Sequence, residues 1–168
     1  MQPTSIAVVS ATEGEDLRAV RALFEQYRRL AAGDDLEQES IAEEIAGLPW
    51  VYEAPYGDLL LAKLDGFAAG CIALRSRAAD EGELKRMFVL PGPGDRGIVR
   101  ALVAAALKRA WALGMSSVCL DTLPSMAEAR RIHASLGFRP RFLYGGRSAD
   151  DTLYFDLDRP NAMHSSGF

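Results

Sequence analysis

The sequence predicts an α/β fold: a central mixed sheet of about six or seven strands flanked by helices. Three observations predict it. Short β-type runs alternate with helical patterns between Ile6 and Leu157. Two of those runs flank Asp65-Gly66, a strong hairpin turn. In the middle, ELKRMFVL ends at Pro91, a loop rich in Gly and Pro follows, and Gly97 to Leu113 then shows a helical pattern with Gly114 as its stop.

Taken in order, Ile6 to Val9 is a short β-type run. Thr12 to Glu15 has the form of a capping box, and Leu17, Val20, Phe24, Tyr27 and Ala31 then recur at helical spacing. Gly33-Asp34-Asp35 breaks that helix. A second helix carries Ile41, Ile45 and Leu48 and stops at Gly47-Leu48-Pro49. In Trp50 to Gly57 the aromatics crowd around Pro55, which excludes a central strand. Core packing is the ordinary fate of Trp50, Tyr52 and Tyr56, and lining a substrate cleft is the alternative. Asp58 to Leu64 and Phe67 to Leu74 read as strands. Arg75 to Gly82 reads as a polar connection, and the next strand starts at Glu83.

The helix from Gly97 is apolar almost all round, so it must pack on a sheet. Ser116 to Thr122 is a further strand. Ser125-x-x-Glu128 is a second capping box, opening a helix that Gly137 ends. Met126, Ala129, Ile132, His133 and Leu136 share one face of it. Two β-type runs, around Phe142 to Tyr144 and from Leu153 to Leu157, complete a single domain over residues 1–158. Residues 159–168 read as a small, polar, mobile tail.

The bulk numbers bound the function. The chain has 168 residues, of which 49% are hydrophobic and 25% charged, as in an ordinary globular domain with a substantial core. A net charge of −4 disfavours nucleic acid and acidic membranes as bulk partners. No apolar run reaches the length of a membrane span, and no basic region precedes an apolar one at the start, so the expected compartment is the cytoplasm. Cys71 and Cys119 each sit in a strand-like run and read as core thiols. No spacing of His and Cys suggests a metal site.

The loop that enters the helix near Gly97 carries the chemistry. A helix N-terminus presents unpaired N–H groups and the positive end of the dipole, which suits an anion such as a diphosphate. Around it, the chain resembles the GNAT superfamily of N-acetyltransferases, which transfer an acetyl group from acetyl-CoA to an amine. The resemblance runs from about Ile6 to about Asp158 and is sharpest in ELKRMFVLP, RALVAAAL, LDTLPSM and SLGF. It implies a GNAT-like acyl-CoA N-acyltransferase fold. It also implies acetyl-CoA as co-substrate with no metal, and a small-molecule or peptide amine as acceptor. A homodimer is compatible with it.

The resemblance also assigns residues. The family motif [QR]-x-x-G-x-[GA], aligned without gaps, falls on Gly94, Asp95, Arg96, Gly97, Ile98 and Val99, and matches at Gly97 alone. The diphosphate would use the amides from about Asp95 to Arg100. The pantetheine arm would lie along the backbone of Met87, Phe88 and Val89, between this strand and the next, which splay apart in the family. Asp95 reads as the N-cap, its carboxylate bonded to an amide at N2 or N3. There it would compete with the diphosphate, and Arg96 and Arg100 would offset the repulsion.

Glu83 stands six residues before Val89, where some family members carry the glutamate that removes the amine proton through water. Its other reading is a solvated or ion-paired strand residue, with an Arg such as Arg86 as partner. His133 stands five residues before Phe138, where the family usually carries the Tyr that protonates the CoA thiolate. A neutral imidazole N–H could donate there and an imidazolium could protonate. Its other reading is a core His satisfied by a backbone carbonyl. Glu39, Glu43 and Glu44 suit a cationic acceptor or a solvated helix face. A second function class stays open: an acetyltransferase-like domain with lost or altered CoA binding, serving as a binding or interaction module.

Overall fold

The computed structural model describes residues 4–30, 35–92, 94–122, 127–141 and 153–160. In chain order the elements are β1 (Ile6–Ser10), α1 (Gly14–Leu30), α2 (Asp35–Ala46), β2 (Gly57–Leu64), β3 (Phe67–Ala78), β4 (Glu81–Val89), α3 (Asp95–Ala112), β5 (Ser117–Thr122), α4 (Ala127–Ser135), β6 (Arg139–Arg141) and β7 (Leu153–Asp158). The strands form one seven-stranded sheet in the order β1-β2-β3-β4-β5-β7-β6. Every neighbouring pair is antiparallel except β4 and β5, which run parallel with α3 as the crossover.

Strand alternation divides the apolar residues between two cores. Leu60, Ala62, Ile72, Leu74 and Leu84 meet Ile98, Leu102, Val103 and Ala106 of α3 on one face. Leu59, Leu61, Cys71 and Ala73 meet Val20 and Phe24 of α1 and Ile41 and Ile45 of α2 on the other. Central strands apolar on both faces explain why the β2 run reads DLLLAKL with little alternation.

The hairpin at Asp65-Gly66 forms as expected. Asp65 at φ 50° and Gly66 at φ 88° give the left-handed pair of a type I′ turn. Asp65 also ties down the chain start, accepting a 2.9 Å hydrogen bond from the Ser5 amide on Oδ1. α3 ends in a Schellman motif: the Gly114 amide donates to the Trp111 carbonyl at 3.1 Å and the Met115 amide to the Ala110 carbonyl at 3.0 Å.

Several boundaries differ from the sequence reading. α1 begins at Gly14, and its first bond runs from the Leu17 amide to the Glu13 carbonyl at 3.2 Å, one residue later than capping by Thr12 requires. The polar stretch Arg75 to Gly82 is mostly strand. β3 continues to Ala78 and β4 starts at Glu81, with Arg75 opposite Glu83 and Ser76 opposite Gly82. Charges of opposite sign facing each other across a ladder support pairing as apolar residues do, so polarity there did not mean loop. β6 is Arg139–Arg141. The expected run at Phe142 to Tyr144, the Ser125 cap and Met126 lie outside the described residues.

Buried polar groups tie the helical layer to the sheet. Asp58 is 2% exposed and accepts from Ser10 Oγ at 2.6 Å, from the Leu59 amide at 2.9 Å and from Arg109 Nε of α3 at 2.9 Å. No spacing in the sequence announces this set, because its members lie far apart along the chain.

Candidate active site

The parallel pair is short. Among the described residues, β4 and β5 are in register from Glu81 opposite Ser117 to Leu84 opposite Leu120, and no further. Beyond that point β4 stays on β3, with Phe88 opposite Cys71 and Val89 opposite Gly70. β5 stays on β7, with Thr122 opposite Leu153. The two central strands therefore part at their C-terminal ends, as expected, and the gap lies between segments whose other edges are both occupied. The side chains of Met87 and Val89 pack toward α3 and that of Phe88 toward α1, where its ring meets Tyr27 edge-on at 6.4 Å. What this stretch of β4 can offer to a guest in the gap is its backbone.

The helix entrance differs from the expectation for Asp95. The N-cap of α3 is Gly94, at φ 85° and ψ 5°, and Asp95 is the first helical residue. A left-handed turn is open to glycine without strain, and an added Cβ at Gly94 would meet nothing within 4 Å. Asp95 Oδ1 accepts from the Arg96 amide at 2.8 Å. The carboxylate therefore does hold one amide of the first turn, from inside the helix instead of from the cap. Gly94, Asp95, Arg96, Gly97 and Arg100 are exposed, whereas Ile98 is buried and Val99 packs against the core. Among the described residues nothing demands glycine at 97, where a Cβ would make an ordinary 3.4 Å contact with Ile6.

A bulge shapes the surface beside the gap. From Cys71 to Ala73 the facing residues go from Phe88 to Lys85, one residue too many, and Arg86 sits at φ 56°. The extra residue turns Lys85 and Arg86 toward the α1 and α2 face. Arg86 forks onto Glu44 Oε2, at 2.8 and 3.1 Å, and lies 5.8 Å above the Tyr27 ring. Tyr52, which is 1% exposed, donates its hydroxyl to the other oxygen of Glu44. Burial first, and then this bond, push the Tyr52 hydroxyl well above its usual pKa. Cys71 Sγ caps the bulge from below, 3.7 Å from the Arg86 carbonyl, and burial pushes that thiol up to about 12.

A cavity of about 370 Å³ opens here, lined by Glu43, Glu44, Trp50, Tyr52, Arg75 and Lys85 among others. Trp50 is 58% exposed and stands edge-on to Tyr52 at 6.2 Å. Of the three aromatics in that segment, Tyr52 is core, Tyr56 is exposed, and Trp50 and Tyr52 line the cavity.

Glu83 lies on the same sheet face, one residue before the last paired position. Its carboxylate is 3.3 Å from Arg75, 3.7 Å from Arg77 and 3.7 Å from Lys85. Its partners are thus three cations other than the expected Arg86, because the bulge swings Arg86 to Glu44. Next along, Glu81 is bound by Arg77 at 3.4 Å and by Arg141 of β6. Arg77 also reaches Cys119 Sγ at 3.5 Å, and burial raises that thiol to about 11. These charges stand at every second residue of β3 and β4. That period of two is the signal that could have found them.

His133 sits on α4, which packs against α3 on the opposite sheet face. It is 3% exposed, and its ring meets Phe138 edge-on at 5.7 Å. The spacing has a local cause. Gly137, at φ 99°, closes a Schellman motif in which the Phe138 amide donates to the His133 carbonyl at 3.1 Å. Side chains at those two positions normally touch. Burial lowers the pKa of the imidazole, and its buried Nδ1 has no hydrogen-bond partner among the described residues. A backbone acceptor on Nδ1 is therefore absent among the described residues. Glu83 and His133 lie on opposite faces of the sheet.

Residues 18–138 match the model of the acetyltransferase (GNAT) family. An uncharacterised N-acetyltransferase of Schizosaccharomyces pombe is 28% identical over 160 residues, spanning 94% of this chain and 98% of that protein. A GNAT-family protein from Desulfovibrio desulfuricans superposes with a TM-score of 0.70 at 19% identity, covering 92% of this chain and 99% of that one. The protein yncA of Salmonella typhimurium, solved with its cofactor acetyl-CoA, gives 0.66 at 20% identity, covering 94% and 98%. At such identities the structural likeness speaks for the fold alone. No described helix is long and apolar enough to cross a membrane, and the described residues hold no cluster of metal-ligating side chains.

Proposed function

The chain belongs to the acetyltransferase (GNAT) family, and from that premise we propose that it transfers the acetyl group of acetyl-CoA to a primary amine. The observation that carries the reading is the parting of β4 and β5 beyond Leu84 and Leu120, next to a cavity lined by both charged and aromatic side chains. A domain kept only as an interaction module has no need of that gap, and the family relatives are named for acetyl transfer.

Acetyl-CoA brings a thioester, an acetyl group activated for attack by an amine. The backbone of Met87, Phe88 and Val89 would hold its arm in place of the missing strand partner. The amides of the first turn of α3, with Arg96 and Arg100 beside them, would hold the diphosphate, and Asp95 opposes it. A guest lying between two strands can be reached from both sheet faces. That reconciles a base on one face with a donor on the other. Glu83 would take the ammonium proton through water. The amine nitrogen would then bond to the acetyl carbon as the C–S bond breaks, its remaining extra proton passing through water to the departing thiolate. His133, kept neutral by burial, would donate an N–H hydrogen bond to the departing sulfur.

The test follows release of free CoA thiol with a panel of primary amines. Glu83→Gln should lower kcat about 10²-fold with acetyl-CoA affinity unchanged. A wild-type protein that binds no acetyl-CoA by calorimetry overturns the reading.

A further inference from the structure

The cavity beside the gap carries more charge than an amine acceptor needs, and most of it has the wrong sign. The sequence offers Glu43 and Glu44 as partners for a cationic acceptor. Glu44 is spent, since Arg86 and Tyr52 take its two oxygens. Glu43 remains, exposed at the mouth. On the β3 and β4 side, Arg75 and Lys85 line the cavity and share the single carboxylate of Glu83 with Arg77. Arg75 Nε lies 3.3 Å from that carboxylate but out of line with it. Its N–H is therefore buried with no hydrogen-bond acceptor among the described residues. Two cations that line one cavity and share a single carboxylate among the described residues make a place for an oxyanion. Lys85 is also the first residue of β4 past the paired stretch, so this place borders the gap.

We propose that the acceptor is a free amino acid, its carboxylate held on Arg75 and Lys85, its ammonium passing Glu43, and its side chain against Trp50. This rests on the acetyltransferase reading and narrows it. A peptide N-terminus lacks the α-carboxylate and is disfavoured at this cavity.

Two readouts test it. The first is thiol release with each standard amino acid and with its carboxamide, a pair of nearly equal size that differs in charge. The expected result is a preference for the acid of at least about tenfold in kcat/KM, about 1.4 kcal/mol. Lys85→Met should erase that preference and Lys85→Arg should restore it. The second needs no acetyl-CoA: Trp50 fluorescence in a Trp111→Phe background should titrate with the preferred acid and not with its carboxamide. Equal or better turnover of the carboxamides overturns the proposal and leaves the acetyltransferase standing. So does a protein that binds acetyl-CoA but acetylates no amino acid. A protein that binds no acetyl-CoA overturns both.

Discussion

Asp95 is the residue whose replacement says most about coenzyme binding. Its carboxylate holds the Arg96 amide at 2.8 Å in the first turn of α3, where a diphosphate would seek the same donors. Two costs follow for the ligand. One hydrogen bond must be given up, worth about 0.5–1.5 kcal/mol net. One negative charge must be approached, at about 1 kcal/mol per unit charge at contact distance in water, reduced by salt. Asp95→Asn keeps an acceptor for the amide and removes the charge, so acetyl-CoA should bind about fivefold more tightly, about 1 kcal/mol. Asp95→Ala removes both, and the gain should reach about tenfold, about 1.4 kcal/mol. Stability should move the other way. A carboxylate in the first turn favours the helix dipole by about 0.3–1 kcal/mol, so both variants should melt slightly lower without ligand. Calorimetric titration at two salt concentrations, with a melting curve for each protein, checks all of this. The advantage of Asp95→Asn should shrink at high salt. Tight binding by the wild type that weakens in both variants would refute the reasoning.

The remaining predictions concern His133 and Asp58. Burial lowers the pKa of His133 from its ordinary 6.5, so the unfolded chain takes up a proton near pH 6.5 that the folded protein refuses until lower pH. Stability is therefore complete above that value and falls as pH drops below it, by up to about 1.4 kcal/mol per pH unit. Denaturant titrations from pH 5 to 7 should show this slope in the wild type and lose it in His133→Phe. An unchanged slope would mean that another group carries it. Asp58→Ala strands Ser10 Oγ, the Leu59 amide and Arg109. Because Arg109 is 40% exposed, water takes over part of its charge, and the loss should be about 2 kcal/mol, a fall in Tm of about 5 °C. A fall under about 1 °C would show that the set contributes little.

The sequence determined by itself what depends on neighbours along the chain. The Asp65-Gly66 turn, the stop of α3 at Gly114 and the stop of α4 at Gly137 are backbone requirements that local residues meet, so they could be read directly. The apolar pattern of α3 foretold a helix lying on a sheet, and its place after a strand foretold a loop at its N-terminus. The tertiary structure decided what depends on residues brought together from afar. Whether Arg75 to Gly82 was loop or ladder turned on which charges faced which across β3 and β4. Where Arg86 pointed turned on a one-residue bulge, which flips a side chain from one face of a sheet to the other and leaves no mark in the spacing. That bulge gave Glu44 its partner and left Glu83 to three other cations, so that Arg75 and Lys85 line the cavity beside the glutamates of α2. Charge at a site is a sum over elements far apart in sequence, and only their packing performs that sum.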